Sequence, residues 1–475
     1  MEKNDVLLTL DYNHLVAEVL GPEIGLTSAD LSEVKKSLAK AVKDFEARRR
    51  EGLLPFADLP QDAALPKTCR KLAAEVRKKF DDALVLGIGG SALGPSAVFT
   101  ALRPLNHNAL PADKRGWPRL HVADNVDPEG FGALLDGLDP SKTFVNVISK
   151  SGATAETMSQ FMIVADRFQK ALGPEGFKER LLVTTDPQNG VLRRLVEENG
   201  WTALPIPPGV GGRFSVLTAV GLAPLALAGV DVAGLLTGAR RAQEAFDRTG
   251  AASQAALFAG LNWLLTVKKG RGSLVMMPYA DALGRVADWF GQLWNESLGK
   301  AKKLDGSPAG AGQTSIKALG ATDQHSQLQL YMEGPQDKTI CFLGTEAFRA
   351  KLSIPKIFKK FNELGYLGGH SLGELLNNER LGTAKALAES GRPNFSLTMP
   401  KVGPETVGFL LQTLMLATVL SGTLYGVDPL DQPGVELGKK FTYGLMGRAG
   451  FEEMTERYDR LKPSKKFMVE SSPLG

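Results

Sequence analysis

An apolar run, Phe144 to Ile148, passes straight into the turn Ser149-Lys150-Ser151-Gly152-Ala153-Thr154, and a helical pattern opens at Thr154. Four apolar residues around Asn146, without polar alternation, mark a strand covered on both faces, as in a parallel sheet between helices. The turn is rich in groups that hold an anion. Ser149, Ser151, Thr154 and Thr157 offer hydroxyls, Lys150 a cation, and Gly152 a tight backbone bend. The helix start adds free N–H groups that attract negative charge. The order Gly-x-x-x-x-Gly-Lys-Ser/Thr of a nucleotide P-loop is absent, so the turn suits a compact phosphate monoester such as that of a sugar phosphate. An ordinary capped helix after a strand would carry the same pattern, and both readings stand at this point.

The same strand–turn–helix grammar repeats. Helices are predicted over Leu31–Arg49, behind Thr27-Ser28-Ala29-Asp30, and over Lys67–Phe80. Strands are predicted at Ala83–Ile88, Arg119–Ala123, Thr143–Ile148 and Leu181–Thr185, with helices from about 93 and about 154–171. A second alternating run begins near 270. It has strands at Ser273–Met277, Thr339–Leu343 and Phe395–Met399, a helix over Trp289–Ser297 and a long apolar helix Thr406–Tyr425. Strands alternating with helices predict an α/β fold of two doubly wound parallel-sheet domains. The division expected is a helical segment 1–54, domains at 55–245 and 260–440, and a charged tail 441–475 that packs as a helix. A length of 475 residues agrees with about two to four domains.

Bulk properties exclude several function classes. Net charge is +4 and the basic residues are scattered, so nucleic-acid binding is not favoured. Lys300, Lys302 and Lys303 either raise the local potential for an anion or simply solvate a helix end. The two cysteines, Cys69 and Cys341, have no metal-ligand spacing, which points to a reducing compartment. The N-terminus lacks a basic region followed by an apolar core, so no secretory signal is expected. The longest apolar candidate for a membrane span, Leu217–Val230, is short and contains Pro224; it reads as a buried helix.

Further blocks could carry chemistry. Gly87-Ile88-Gly89-Gly90-Ser91-Ala92 fits a loose dinucleotide fingerprint, but no acidic residue follows at the expected distance. Its amides and Ser91 suit a phosphate or sugar hydroxyl instead. Gly209-Val210-Gly211-Gly212-Arg213-Phe214-Ser215 offers close backbone approach and a fixed cation for an oxyanion, or a flexible loop with a surface ion pair. Gln292 and Glu296 share a helix face one turn apart. Glu296 reads either as a general base, since burial strengthens a carboxylate as a base, or as a helix-terminal partner of Lys300. His325, one of five histidines, sits among polar neighbours in Gly320–Ser326. Asp431–Lys440 brings Gln432, Glu436 and Lys439 into one turn-rich segment.

Together these blocks resemble the glucose-6-phosphate isomerase (phosphoglucose isomerase) family, in its compact bacterial form, over about 84–440. The most specific are Gly209–Ser215 and Asp431-Gln432-Pro433-Gly434-Val435-Glu436-Leu437-Gly438-Lys439, where many members carry tryptophan at the proline. Gly152-Ala153 also replaces bulkier residues. The resemblance implies two sugar-isomerase (SIS) domains and a cytoplasmic homodimer with shared sites. It implies reversible conversion of glucose 6-phosphate to fructose 6-phosphate through a cis-enediol, in glycolysis and gluconeogenesis. No metal, cofactor, nucleic acid or membrane is expected.

It further implies that Glu296 is the base and Arg213 the cation that steadies the enediolate. His325, reaching in from the partner subunit, and Lys439 would open the ring, with Glu156 orienting His325. Ser149, Lys150, Ser151 and Thr154 would hold the phosphate, Gly90 and Ser91 would line the sugar, and Gln292 and Gln432 would contact it. Competing readings are a non-catalytic sugar-phosphate sensor, a related isomerase acting on mannose 6-phosphate, and a nicotinamide-dependent oxidoreductase.

Overall fold

The computed structural model describes residues 6–461 and 463–470. They divide into two compact units, Met1–Pro429 and Leu430–Gly475, each described by itself. The first unit opens with strand β1 (Thr9–Asp11) and helix α1 (Ser28–Arg50). The expected Thr27 start is a capping box: Thr27 Oγ1 accepts from Asp30 N–H while Asp30 accepts from Thr27 N–H. Residues 1–54 are therefore not helical throughout.

Helix α2 (Leu65–Lys79) leads into β2 (Asp82–Leu86), α3 (Gly90–Leu102), β3 (Arg119–Ala123), β4 (Thr143–Ile148), α4 (Ala155–Lys178), β5 (Leu181–Thr185) and β6 (Thr202–Pro205). These strands form one wholly parallel sheet in the order β3-β2-β4-β5-β6. β2, β4 and β5 are buried along their whole length, which is why apolar residues dominate them, with Asn146, Thr184 and Thr185 buried among the apolar side chains. Their core packs Val145, Val147 and Val183 against Phe161, Val164 and Phe168 of α4.

Helices α5 (Ala219–Leu227), α6 (Val232–Thr249) and α7 (Gln254–Lys269) follow. The stretch Leu217–Val230 is thus shorter as a helix than expected, because Thr218 caps a fresh N-terminus by accepting from Val220 N–H. The second sheet comprises β7 (Ser273–Pro278), β10 (Thr314–Lys317), β11 (Lys338–Ala347) and β12 (Asn394–Lys401); β8 (Lys300–Lys302) and β9 (Pro308–Ala311) form a separate hairpin. Its order is β1-β12-β11-β7-β10, parallel except for β1, which pairs antiparallel with β12. That antiparallel edge was not expected from the sequence. Helix α8 (Gly284–Leu298) lies between β7 and β8, and α9 (Leu372–Glu389) precedes β12.

Helix α10 (Pro404–Tyr425) is the one helix among the described residues long and apolar enough to cross a membrane, yet it is largely buried inside the fold. It packs on α6, α7 and α8, which explains its apolar character as that of a core helix. Within the second unit, α11 (Glu436–Leu445) and α12 (Glu452–Arg460) pack through the Phe441–Tyr458 and Tyr443–Phe451 ring contacts. The tail therefore holds two helices where one was expected.

Candidate active site

In the first sheet β2 lies between β3 and β4, so the chain leaves β2 in one direction and returns to β4 in the other. Crevices outside the carboxyl ends of strands at such a switch point are where α/β sheets bind ligands. The two loops singled out in the sequence, Gly87–Ser91 after β2 and Ser149–Thr154 after β4, occupy that position.

The second loop presents hydroxyls, amides and a cation that could hold a small anion. Ser149 is buried; its Oγ accepts from Gly152 N–H at 3.1 Å and lies 3.3 Å from Thr154 Oγ1. Gly152 has φ +62°, and a Cβ there would lie 2.3 Å from the Leu192 nitrogen, so no bulkier residue fits this version of the loop. Ser151 Oγ accepts from Ala153 N–H. Thr154 is the N-cap of α4, and its side chain makes no capping bond, so the first amides of that helix face the loop unsealed. Lys150 Nζ donates to the Val210 carbonyl at 3.1 Å, tying this loop to the glycine–arginine loop. Beside it, Asp186 is held below the usual carboxylate range by the amides of Gln188 and Asn189, with a smaller contribution from Lys150.

The first loop is held by backbone contact. A Cβ on Gly90 would lie 2.1 Å from the Gly212 carbonyl carbon and 2.7 Å from Arg213 N. Glycine is therefore required there, and α3 starts at Gly90, three residues before the start near Leu93 predicted from the sequence. Ser91 sits on the first turn of that helix, half-buried.

Arg213 is buried, with only 3% exposed, and its guanidinium is engaged in fixing the site. Nε donates to Ser297 Oγ at 2.7 Å, Nη2 to the Pro429 carbonyl at 2.6 Å, and Nη1 faces Glu296 Oε2 at 3.4 Å. A buried guanidinium needs such partners, and the fork holds it in one orientation. Glu296 Oε1 accepts from Gln292 Nε2 at 3.1 Å. Lys300 Nζ donates to the Glu296 main-chain carbonyl, and the Glu296 carboxylate faces Arg213. A carboxylate only accepts, so the Gln292 amide nitrogen must face it. The Gln292 Oε1 left over is buried without a hydrogen-bond partner among the described residues, and it can accept from a hydroxyl.

Glu156 and His325 make no hydrogen bond or ion pair with this cluster among the described residues. Glu156 is half-buried on the first turn of α4. His325 lies on the turn after the 3-10 segment Thr322–Gln324, and its ring makes no hydrogen bond or ion pair among the described residues. That turn is rigid. Burial opposes ionisation of Asp323, but bonds from Ser326 Oγ and Leu319 N–H outweigh it and hold its carboxyl below the usual range. Gln432 and Lys439 belong to the second unit. Gln432 precedes the turn Pro433–Val435, where proline at the first position suits the fixed φ of the ring, and Lys439 pairs with Glu436 at 2.8 Å.

Ser297, Val210 and Pro429 were not singled out from the sequence. Ser297 neighbours Glu296, but nothing in its spacing reveals a contact with a residue 84 positions away. The other two act through main-chain carbonyls, which any residue type supplies. Among the described residues no group of three or more His, Cys, Asp or Glu is placed to hold a metal ion.

A family model described as phosphoglucose isomerase matches residues 70–461. The chain is 44% identical over 468 residues to the glucose-6-phosphate isomerase of Carboxydothermus hydrogenoformans, covering 98% of this chain and all of that one. It is 45% identical over 451 residues to the glucose-6-phosphate isomerase of Rubrobacter xylanophilus, covering 94% and 99%. A crystal structure of a hypothetical protein from Thermus thermophilus superposes with a TM-score of 0.82 at 38% identity, covering 93% of this chain and 100% of that one. That of a glucose-6-phosphate isomerase from Chlamydia trachomatis, 21% identical, gives a TM-score of 0.71 over 84% and 76% of the two chains, a likeness of fold.

Proposed function

The chain belongs to the phosphoglucose isomerase family, and we propose that it interconverts D-glucose 6-phosphate and D-fructose 6-phosphate, a step shared by glycolysis and gluconeogenesis. The observation that carries the reading is the Gln292–Glu296–Arg213 cluster beside two anion-holding loops. An aldose–ketose isomerase needs an anion grip, a ring opener and a base next to a carbonyl.

In this reading Ser149, Lys150, Ser151, Thr154 and the amides of α4 grip the phosphate. Being remote from the reacting carbons, that grip orients them. Gly90 and Ser91 line the sugar, and Gln292 Oε1 accepts one of its hydroxyls. Glu296 removes the C2 proton of the open-chain aldose; the C1 carbonyl gains the electron pair, giving a cis-enediolate. The C2 hydroxyl proton passes to the C1 oxygen, and the same carboxyl returns its own proton to C1 as the C2 carbonyl forms, so nothing is oxidised or reduced overall. A positioned base of this kind gives about 10²–10⁴ in rate. Arg213, immobile and desolvated, supplies positive charge where the enediolate oxygens develop theirs.

Ring opening falls to His325 and Lys439, with Glu156 orienting His325 and Gln432 contacting the sugar. We assign His325 to the partner subunit of a homodimer, a reading supported by its ring being unengaged among the described residues. Two SIS-type domains, at about 55–245 and 260–440, would supply the two walls of each site. A cytoplasmic location accords with two free, buried cysteines.

The test is incubation with fructose 6-phosphate without nucleotide, products resolved by chromatography. Formation of glucose 6-phosphate supports the proposal. Binding without conversion would favour a sensor, and mannose 6-phosphate as main product would mean a different isomerase.

A further inference from the structure

Helix α9 turns one face to the second sheet: Leu376, Ala384 and Leu387 pack on Ile340 and Phe342. Arg380 occupies the same face, one turn from each of Leu376 and Ala384, where an apolar residue is expected. It is 7% exposed; its Nε has no hydrogen-bond partner, and its guanidinium makes no ion pair among the described residues. Burial pushes its pKa down, and the charges of Tyr279 and Asp11 offset only part of that. Gly344 makes room for it, since a Cβ there would lie 2.8 Å from Arg380 Nε. A buried guanidinium without an ion pair is a large cost.

The guanidinium borders a cavity of about 240 Å³ between α9 and the β12–β1 edge. Its sheet side is largely polar. Thr9 lies opposite Thr398 and Asp11 opposite Ser396 across the antiparallel pair. None of the hydroxyls of Thr9, Thr398 and Ser396 has a hydrogen-bond partner among the described residues. Glu346, His14 and Asn394 also line it, with His14 Nδ1 3.1 Å from Asn394 Oδ1, so that pair is already engaged. Asp11 Oδ1 is taken by Asn13, which leaves Oδ2 to accept.

One fixed cation, three hydroxyls and two carboxylates define a ligand. The guanidinium fork matches a carboxylate. The two acids repel a dianion such as phosphate and instead accept from a neighbouring donor. The volume is below the range of about 300–1,000 Å³ usual for larger ligands. We propose that this cavity is a second ligand site, apart from the Arg213–Glu296 cluster, for a small carboxylate whose adjacent carbon carries an ammonium or a hydroxyl. Arg380 binds the carboxylate, Ser396 and Thr398 support it, and Asp11 and Glu346 accept from the donor.

The test is calorimetric titration of the whole protein with L-serine and D-glycerate, with inorganic phosphate and sulfate alongside. Saturable binding of serine or glycerate is expected, and whichever binds tighter identifies the donor. Arg380→Met should weaken it by about tenfold or more, and Thr398→Val several-fold, while isomerase kcat/KM without ligand stays unchanged. The proposal is overturned if neither compound binds. It is also overturned if phosphate or sulfate shows equally tight binding that Arg380→Met removes, an adventitious ion only, or if Arg380→Met binds serine and glycerate as wild type does. Should Arg380→Met not fold, unchanged binding by Thr398→Val overturns it equally.

Discussion

Replacing Gly90 by alanine puts a methyl group where the Gly212 main chain already lies. The added carbon would be 2.1 Å from the Gly212 carbonyl carbon, 2.2 Å from its oxygen and 2.7 Å from Arg213 N, whereas ordinary contact begins at 3.4 Å. The obstructing atoms are backbone, so they cannot swing aside as a flexible side chain would. The two segments must part by about 1.3 Å, and the second carries Arg213. Overpacking of this kind costs about 1–3 kcal/mol of stability. A 1 Å misplacement near the reacting centre costs about 10²-fold in rate, or about 2.7 kcal/mol. Gly90→Ala should therefore fold with a lowered melting temperature and lose about two orders of magnitude in kcat, measured in a coupled isomerase assay. Gly291→Ala is the control. It lies on α8 one residue from Gln292 with nothing within 4 Å of an added Cβ, so it should be neutral or slightly stabilising. A Gly90→Ala enzyme within about threefold of wild type in kcat/KM would refute the reasoning.

Three further outcomes follow from the same structure. Ser297→Ala leaves Arg213 Nε buried without its partner, so stability should drop by about 1–3 kcal/mol and kcat should fall more than KM changes; unaltered kcat would show that Ser297 does not hold the arginine. If His325 is supplied across a dimer, mixing His325→Ala with Glu296→Gln subunits should restore about a quarter of the wild-type sites, and no recovery over either parent would argue for sites within one chain. At the other end of the first sheet, Asp82 is buried and binds Arg119 through both oxygens and His121 through one. Burial favours its neutral acid, but the bonds from His121 and Arg119 and the Arg119 charge outweigh that and lower its pKa. Its stabilisation is thus present above the unfolded value of about 3.9 and is lost as pH falls through the lower folded value. Asp82→Asn should cost about 1–3 kcal/mol at neutral pH in denaturant unfolding, with the gap from wild type narrowing below about pH 4; a constant gap would contradict this.

What the sequence made visible follows from burial. β2, β4 and β5 are enclosed on both faces and stand out as apolar runs, and the loop after β4 carries its chemistry in consecutive residues. β1, β6 and β10 are short edge strands with half-exposed residues, and such pieces lack a pattern to read. Glycine hid two boundaries. Gly90 reads as loop but begins α3, and α4 runs to Lys178 past a bend at Gly173-Pro174. The Arg213–Glu296 pairing joins residues 83 apart and was accessible only through family resemblance. Ser297, Pro429 and Arg380 were not accessible at all, since each matters through a contact made by folding.

The central claim is that Glu296 carries the proton between C2 and C1. The direct measurement is transfer of the C2 hydrogen of [2-²H]glucose 6-phosphate, followed by NMR of the product and solvent, for wild type and Glu296→Gln. The account predicts deuterium delivered to C1 or exchanged into water by the wild type. With the glutamine variant it predicts a loss of about 10²–10⁴ in that rate, with phosphate binding retained. Deuterium movement at the wild-type rate in Glu296→Gln would contradict it.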